Sequence, residues 1–335
     1  MTDIRRIQIT GGSSYMITLP KEWAESSGLK KNDPVTLMPQ ADGSLAIFPN
    51  NIKGDAAPDT VKTIDGDSVT DRVFLYRQLV GAYIAGHGTI EIRSEYGLSS
   101  MVTNVASSFV QTAIGLVIIE EDETHIIIRD LINQDGVKPI KSIERMKILV
   151  RNMLNDVLTA LDEKDASLIT DIDQRDREVD RLNWLISRQI NIHLRDVSIS
   201  RKQGADLCSV ARCGHISKTL ERIGDHAVVL AKELRSLIDD DRTNRLDTEI
   251  VRTGRDVVSL FSESVTTWIS KDMMRANDCI TSGERLVERS SELSKMAHKL
   301  EGASAIAADA ISRSVRRVAE YSMDIAEMTI NSAMD

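Results

Sequence analysis

An acid-bearing helical phrase occurs twice in this chain, and this repeat is the feature that most restricts its fold. The first copy is Leu220-Glu-Arg-Ile-Gly-Asp-His-Ala227, and the second is Val315-Arg-Arg-Val-Ala-Glu-Tyr-Ser322. Asp225 of the first copy aligns with Glu320 of the second. Small and aliphatic residues recur at helical spacing in both copies and indicate a buried seam. Such a repeat predicts a duplicated supersecondary unit.

Acidic residues spaced four apart accompany both copies and lie beside the seam. The pairs are Glu221 with Asp225, Asp176 with Asp180 on the preceding helix, and Glu284 with Glu288 on the helix before the second copy. A single acidic pair on a helix is most often a solvated edge. The recurrence of the pairs favours a functional role. Each unit is therefore predicted to contain three helices with two acid-bearing faces.

The composition fits a mainly helical protein outside membranes. Aromatic residues make up only 4% of the 335 residues and there are six prolines, so helices packed by aliphatic side chains are expected. No apolar run is long enough to span a bilayer, and the first residues lack the apolar core of a signal peptide. We therefore expect no membrane insertion and a cytoplasmic location.

The three cysteines, Cys208, Cys213 and Cys279, do not suggest a disulfide framework, because their number is odd and the chain is large. Cys208, Cys213 and His215 would supply thiolate and imidazole groups to a metal. Buried free thiols on a helix are the favoured interpretation.

Residues 4–50 predict four short strands, one short helix and tight turns, which are too little structure to bury a core. We therefore expect a homo-oligomer, in the simplest case a dimer, in which self-association supplies the missing half. The chain has a net charge of −9. Residues 55–140 are clearly acidic, whereas residues 1–53 contain six basic and five acidic residues. Only this end of the molecule is suited to face DNA.

The N-terminal segment resembles the AbrB/SpoVT swapped-hairpin family in its order of elements and in Gly11-Gly12-Ser13-Ser14, Leu19-Pro20-Lys21-Glu22, Gly28-Leu29 and Asp33. The resemblance implies that two chains interlace hairpins into one small barrel and present basic loops to DNA. The basic residues concerned are Arg5, Arg6, Lys21, Lys30 and Lys31. The short helix carries Ala24 and Glu25 where DNA-binding members tend to have arginines. A purely dimerising segment is therefore the alternative.

Residues 55–137 predict a small α/β domain, because strands alternate with helices. We find no phosphate-binding loop, nucleophile elbow or metal-ligand spacing there, and His87 and His125 are isolated histidines. The domain is interpreted as a spacer or interaction domain, with a ligand sensor as the alternative.

From residue 140 onward, six amphipathic helices follow one another in two sets of three. They predict two tandem three-helix bundles joined in one helical body. The predicted domains are 1–53, 55–137, 140–238 and 242–335. The fold class is mainly α, with two tandem three-helix bundles preceded by a small β swapped-hairpin domain and a small α/β domain.

The duplication, the acid pairs and the phrase Leu220-Glu-Arg-Ile-Gly-Asp225 resemble the PhoU family of phosphate-uptake regulators over residues 140–335. Together with the N-terminal segment, the arrangement resembles an archaeal type of regulator. The resemblance implies that acids from the second and third helices of each bundle lie together and hold iron or zinc clusters. The first cluster would use Asp176, Asp180, Glu221 and Asp225, and the second would use Glu284, Glu288 and Glu320. The second copy departs from this pattern, because Arg316 replaces the first acid and Asp324 stands one turn further on.

Carboxylate chemistry supports a metal site independently of the resemblance. Several carboxylates held close together repel each other, so they take up protons or a cation. All-oxygen sites suit Mg, Mn, Ca and oxidised Fe, and they tolerate Zn. The sequence leaves the identity of the metal open.

Three functions are compatible with these features. The favoured one is a phosphate-responsive regulator that couples a metal-binding bundle to DNA or to the uptake transporter. The second is an adaptor, dimeric through its N-terminus, that does not bind DNA and acts on phosphate transporter components or a sensor kinase. The least favoured is an enzyme with a carboxylate di-metal centre, because the Glu-x-x-His ligands of such bundles are absent. We predict no catalytic residue.

Overall fold

The computed structural model describes residues 4–12, 14–39, 43–49, 60–131, 138–195, 207–238 and 243–334. The chain divides into two compact units, Met1–Pro58 and Asp59–Asp335. The predicted domain boundaries at 53, 55, 137 and 242 lie outside the described residues. The four-domain division therefore stays a prediction.

The N-terminal unit consists of two hairpins and one short helix. Strands β1 (Gln8–Thr10) and β2 (Ser14–Met16) pair antiparallel, helix α1 (Lys21–Ser26) follows, and β3 (Val35–Pro39) pairs antiparallel with β4 (Leu45–Pro49). None of the described residues of this unit is buried, and apolar side chains such as Ile9 (69% exposed) and Tyr15 (77% exposed) face solvent. The described part of the segment therefore has no core of its own, as the sequence predicted.

The second unit begins with an α/β layer. Its elements are β5 (Val61–Asp65), α2 (Arg72–Ile84), β6 (Thr89–Arg93), α3 (Ser100–Thr112), β7 (Leu116–Glu121) and β8 (His125–Asp130). The sheet order is β5-β6-β8-β7, with β5 and β6 parallel and the other pairs antiparallel. Leu75, Leu79 and Phe109 of the two helices pack with the sheet in one hydrophobic core. The predicted α/β arrangement is present.

Six long helices follow the α/β layer. They are α4 (Pro139–Glu163), α5 (Ile172–Arg195), α6 (Leu207–Leu234), α7 (Asn244–Ser270), α8 (Met273–Ala297) and α9 (Ala303–Ala333). Helix α4 packs on α5, α6 and α7, and α9 packs on α6, α7 and α8. One hydrophobic core runs through both sets of three. The predicted helical body with its two sets of three helices is confirmed.

Local sequence features determine where α4 begins and ends and where α5 begins. Helix α4 starts at Pro139, because proline is tolerated in the first turn, where the N–H that it lacks would have no partner within the helix. Lys164 then adopts a left-handed conformation and ends α4. The next turn, Ala166–Ile169, is a 3₁₀ helix that Asp165 caps, and α5 begins after it at Ile172. No helix in the described part of the chain combines the length and the apolar character that a membrane span requires.

Candidate metal centre

The burial of the seam between α5 and α6 positions the first set of predicted acids. Val179 of α5 and Ile223 of α6 are fully buried in the helical core. Because residues three and four apart share a helix face, acids that flank these two positions come to the edges of the seam. We call Asp176, Asp180, Glu221 and Asp225 the first carboxylate cluster.

The carboxyl group of Asp176 is more buried than that of an acidic residue on a solvent-facing helix surface. Its Oδ1 is buried and has no hydrogen-bond partner among the described residues. Gly224 of α6 faces it so closely that a Cβ at position 224 would lie 3.3 Å from Asp176 Oδ1. The absence of a side chain at Gly224 therefore makes room for the carboxylate of the neighbouring helix.

The pKa values of the cluster are raised. Burial first, and then the negative charges of Asp180, Asp225 and Glu221, raise the pKa of Asp176 to about 7. Burial, followed by the charges of Glu221 and Asp225, raises the pKa of Asp180 to about 6. Burial, followed by Glu221, also raises the pKa of Asp225. The four carboxylates are thus close enough to repel each other, which is the electrostatic condition for taking up protons or a cation.

Lys218 is a member of this site that the sequence analysis missed. Its ammonium group donates hydrogen bonds to both oxygens of Glu221, at 2.5 and 2.6 Å, and the Glu221 side chain is only 13% exposed. The signal was present in the sequence, because Lys218 and Glu221 lie three residues apart on one helix. Lys218 supplies a positive charge where the fold assembles four negative ones.

The second set of acids is arranged differently. We call Glu284, Glu288, Glu320 and Asp324 the second carboxylate cluster. Arg316 and Arg317 donate to Glu320 at 2.8 and 2.6 Å. Burial alone would raise the pKa of Glu320, but these hydrogen bonds outweigh it and lower that pKa.

The other members of the second cluster are exposed to solvent. Glu284, Glu288 and Asp324 are all exposed residues. Burial of its carboxyl group nevertheless raises the pKa of Asp324, against the lowering effect of Arg317. Ala319 occupies the position that aligns with Gly224, so a side chain is present where the first copy has none. The structure therefore places the carboxylates of the two copies in unequal surroundings.

The side chains as placed do not form a ready chelating group. Within the described residues, no set of three or more His, Cys, Asp and Glu side chains stands close enough to hold a metal ion. The first carboxylate cluster still fits a hard cation chemically, because it offers oxygen donors only and one of them is buried without a partner among the described residues. The second cluster fits less well, since arginines already occupy Glu320.

The remaining predicted residues fall outside this site. Cys213 and Cys279 are buried, as expected, but Cys208 is exposed, because it faces away from the seam in the first turn of α6. Burial raises the pKa of the Cys213 thiol to about 11, which disfavours the thiolate form that binds metals. The basic residues of the N-terminal unit are all exposed: Arg5, Arg6, Lys21, Lys30 and Lys31.

Comparison with known proteins agrees with both resemblances. A model of the PhoU domain matches residues 143–234, which span α4 to α6. A model described as antidote-toxin recognition MazE, bacterial antitoxin, matches residues 8–54. The two matches lie in different units of the chain.

Two relatives are phosphate-specific transport system accessory protein PhoU homologues. The one from Caulobacter vibrioides is 35% identical over 95 residues, which are 28% of this chain and 37% of the relative. The one from Clostridium acetobutylicum is 25% identical over 133 residues, which are 39% of this chain and 59% of the relative. The chain thus matches less than two thirds of the length of either relative.

The fold of a solved structure is also similar. The crystal structure of PhoU from Pseudomonas aeruginosa superposes with a TM-score of 0.50 and 22% identity, over 57% of this chain and 92% of that protein. At this identity the likeness concerns the fold alone. The chain therefore contains a PhoU domain at residues 143–234, within a helical bundle of PhoU-like fold, and a MazE/AbrB-like domain at residues 8–54.

Proposed function

We propose that this chain is a phosphate-responsive regulator of phosphate uptake, without enzymatic activity, whose helical bundle binds metal at the first carboxylate cluster. The observation that carries the proposal is the convergence of four acids from α5 and α6 within the PhoU domain, where Asp176 has a buried oxygen without a partner among the described residues. The relatives named as phosphate-specific transport system accessory proteins support a role in the regulation of phosphate uptake.

Asp176, Asp180, Glu221 and Asp225 would hold the metal, and a bound cation would neutralise their mutual repulsion. Iron or zinc clusters are our first choice, with Mg, Mn or Ca as alternatives, because an all-oxygen donor set accepts each of them. Metal analysis of the protein purified without chelator tests this part. Absence of metal together with no uptake on dialysis against these ions would contradict it.

We further propose that the N-terminal unit joins two chains and contacts DNA. The exposed apolar side chains of its hairpins support the first part, because a second copy would cover them. The exposed basic residues support the contact with DNA. Two of them also have partners within the unit: Lys21 Nζ lies 3.6 Å from Glu25 Oε1, and the Arg5 guanidinium donates to Thr18 Oγ1 at 3.2 Å. A titration against DNA from upstream of the protein's own gene tests the contact.

The adaptor function remains the alternative. Ala24 and Glu25 on α1, where arginines would be expected in a DNA-binding segment, are the feature that suits a protein partner, such as a transporter component or a sensor kinase. If the protein binds DNA, the logarithm of its binding constant should fall linearly with the logarithm of the salt concentration. Replacing Arg5 and Arg6 by alanine should reduce the steepness of this slope by about one unit for each phosphate contact that is lost. Failure of the parent protein to bind any upstream DNA at low salt would leave the adaptor as the function.

A further inference from the structure

A surface groove of about 390 Å³ runs between α5 and α6 beside the first carboxylate cluster. Its apolar lining comes from Ile190 of α5 and from Ala211 and Gly214 of α6. The two helices approach each other closely here, because a Cβ on Gly214 would lie 2.8 Å from Ile190 Cδ1. The groove therefore has a fixed floor made by the helix contact.

Three basic side chains line the same groove. His215, Lys218 and Arg222 lie three and four residues apart on α6, so they project from one helix face over about two turns. All three are exposed. This basic row stands on a chain whose net charge is −9, and its charge is therefore a local feature.

The positive charge of the row is only partly compensated. Lys218 donates to both oxygens of Glu221, but an ammonium group has three hydrogens, so one remains for a further acceptor. Arg222 has no carboxylate within ion-pair distance among the described residues, and its guanidinium lies 6.0 Å from the ring of Tyr321 on α9. An arginine whose donors are not engaged, beside a lysine with one to spare, attracts an anion with several acceptor oxygens.

We infer that this groove binds a phosphoryl group, with Arg222 and Lys218 as its charged ligands and His215 as a further donor. A tetrahedral phosphoryl group offers a separate acceptor oxygen to each of the three side chains, and at neutral pH it carries more negative charge than a chloride ion. The phosphoryl group belongs either to free orthophosphate or to a phosphate ester whose body lies on the floor of Ile190 and Ala211. The inference rests on the proposed phosphate response and assigns the binding site through which the protein would sense phosphate.

The groove also adjoins the carboxylates, which determine its electrostatic surroundings. Glu221 and Asp225 lie on the neighbouring face of α6. Burial and Glu221 raise the pKa of Asp225, whereas Lys218 and Arg222 lower it. Anion binding must therefore overcome the field of these acids. Binding should be stronger when a cation neutralises them, but it should not require one, because Arg222 faces the groove directly.

The test is calorimetric titration of the full-length protein with orthophosphate and, separately, with adenosine monophosphate. Both titrations are run in the presence of chelator at constant ionic strength, with chloride as the blank. Lys218→Gln and Arg222→Gln should each weaken binding about tenfold or more, because each removes a charge-assisted hydrogen bond. Tighter binding of orthophosphate identifies the free ion as the ligand, and tighter binding of the monophosphate identifies an ester.

Lys232→Gln is the matched control. Lys232 is an exposed residue of α6 outside the groove, so the substitution removes the same charge and should leave phosphate binding unchanged. Equal weakening by all three substitutions, or no saturable binding of either ligand to the parent protein, would overturn the inference. The metal content of the protein does not enter this result, because chelator is present. Loss of regulated phosphate uptake in cells is a separate measurement that bears on the proposed function.

Discussion

Gly224 of α6 lies against Asp176 of α5 so that a Cβ at position 224 would stand 3.3 Å from the Asp176 Oδ1 atom. This distance is tighter than an ordinary van der Waals contact. The second copy of the phrase has Ala319 at the aligned position and exposed glutamates on the facing helix. The pairing of a glycine with an aspartate whose Oδ1 atom is buried is therefore particular to the first copy, and the close helix contact accompanies the burial of that oxygen.

Gly224→Ala should move the Asp176 carboxylate and weaken metal binding at the first cluster. Replacing a glycine in a helix interior by alanine ordinarily raises the free energy of unfolding by about 0.5–1 kcal/mol. Here, however, the new methyl group would press against a buried oxygen. We expect the gain to be reduced or reversed. Gly81→Ala on α2 is the control, because nothing lies within 4 Å of a Cβ there. Urea unfolding of both variants measures the difference, and an equal gain in both would show that Asp176 has room to move.

The pH dependence of stability should report the raised pKa values. The folded-state pKa values of Asp176 and Asp180 are about 7 and about 6, above the ordinary value of 3.8 for an aspartate. Between pH 3.8, the ordinary pKa of an aspartate, and the raised folded-state pKa values, the folded protein binds more protons than the unfolded chain. The free energy of unfolding therefore falls as pH rises through this window. The contribution of these two carboxyl groups to the stability of the metal-free protein should therefore be larger near pH 5 than near pH 8. The lowered pKa values of His87, His193 and His226 act in the opposite direction, so the comparison with an Asp176 variant isolates the carboxylate contribution.

Asp176→Asn should flatten this slope and stabilise the metal-free protein near pH 8. The gain should be on the order of 1 kcal/mol, because partial exposure screens the repulsion. Asp278→Asn on α8 removes an exposed acid and should leave the slope as it is. Urea unfolding with chelator at both pH values compares the three proteins. If Asp176→Asn kept the pH dependence of the free energy of unfolding seen in the parent protein, the Asp176 carboxyl group would not be its source.

The sequence predicted the parts of this structure that depend on local spacing. Helical periodicity gives the six long helices, and acids four residues apart come to one face because a helix turn has 3.6 residues. The pairing of α5 with α6 was an expectation from the resemblance to the PhoU family, and the two helices do pack on each other. The exposed apolar hairpins of the N-terminal unit were expected from its length, because so few residues cannot enclose a core.

Contacts between distant parts of the chain were not predictable in this way. Arg188 is 2% exposed and its guanidinium donates to Asp130 at 2.7 Å, to the Tyr83 carbonyl at 2.6 Å and to the His87 carbonyl at 2.8 Å. No spacing links residue 188 to any of these partners. The approach of Gly224 to Asp176 was hidden for the same reason, because it depends on the separation between two helices.

Arg188→Met should destabilise the second unit by about 3–5 kcal/mol, because it removes one partner of a buried ion pair together with its hydrogen bonds to two backbone carbonyls. The loss should fall on the joint between the α/β layer and α5, since Tyr83, His87 and Asp130 all belong to that layer. Arg145→Met is the control, because Arg145 is 62% exposed and pairs with Glu178 on the surface, where ion pairs contribute about 0–1 kcal/mol. Chemical denaturation measures both. A similar small loss in the two variants would show that the buried network is not needed for stability.

The N-terminal unit should hold two chains together. Its described residues have no buried core, and apolar side chains such as Ile9 and Tyr15 are exposed, so a second copy would remove apolar surface from water. We expect the full chain to sediment as a dimer or larger species and residues 59–335 to sediment as a monomer. Double substitution of Ile9 and Leu37 by lysine tests the same surface in the full chain. If the truncated and the substituted proteins both sediment with the same number of subunits as the parent protein, the interface lies within residues 59–335.

The two carboxylate clusters should bind metal unequally. In the first cluster, the acids repel each other and Asp176 has a buried oxygen without a partner among the described residues, so a cation relieves an unfavourable arrangement. In the second cluster, Arg316 and Arg317 already neutralise Glu320. A cation there must displace two charge-assisted hydrogen bonds before it can bind. The first cluster should therefore fill first.

Asp225→Asn should consequently remove more bound metal than Glu320→Gln. Both substitutions replace a carboxylate by its amide and keep its shape, so the comparison isolates the charge. Metal analysis of both variants after purification without chelator gives the ratio of metal to protein. A third variant, Arg316→Gln, should raise the metal content of the second cluster, because it frees one oxygen of Glu320. Equal losses in the two acid variants would show that the halves are equivalent, and no metal in the parent protein would show that the acids do not form a metal site.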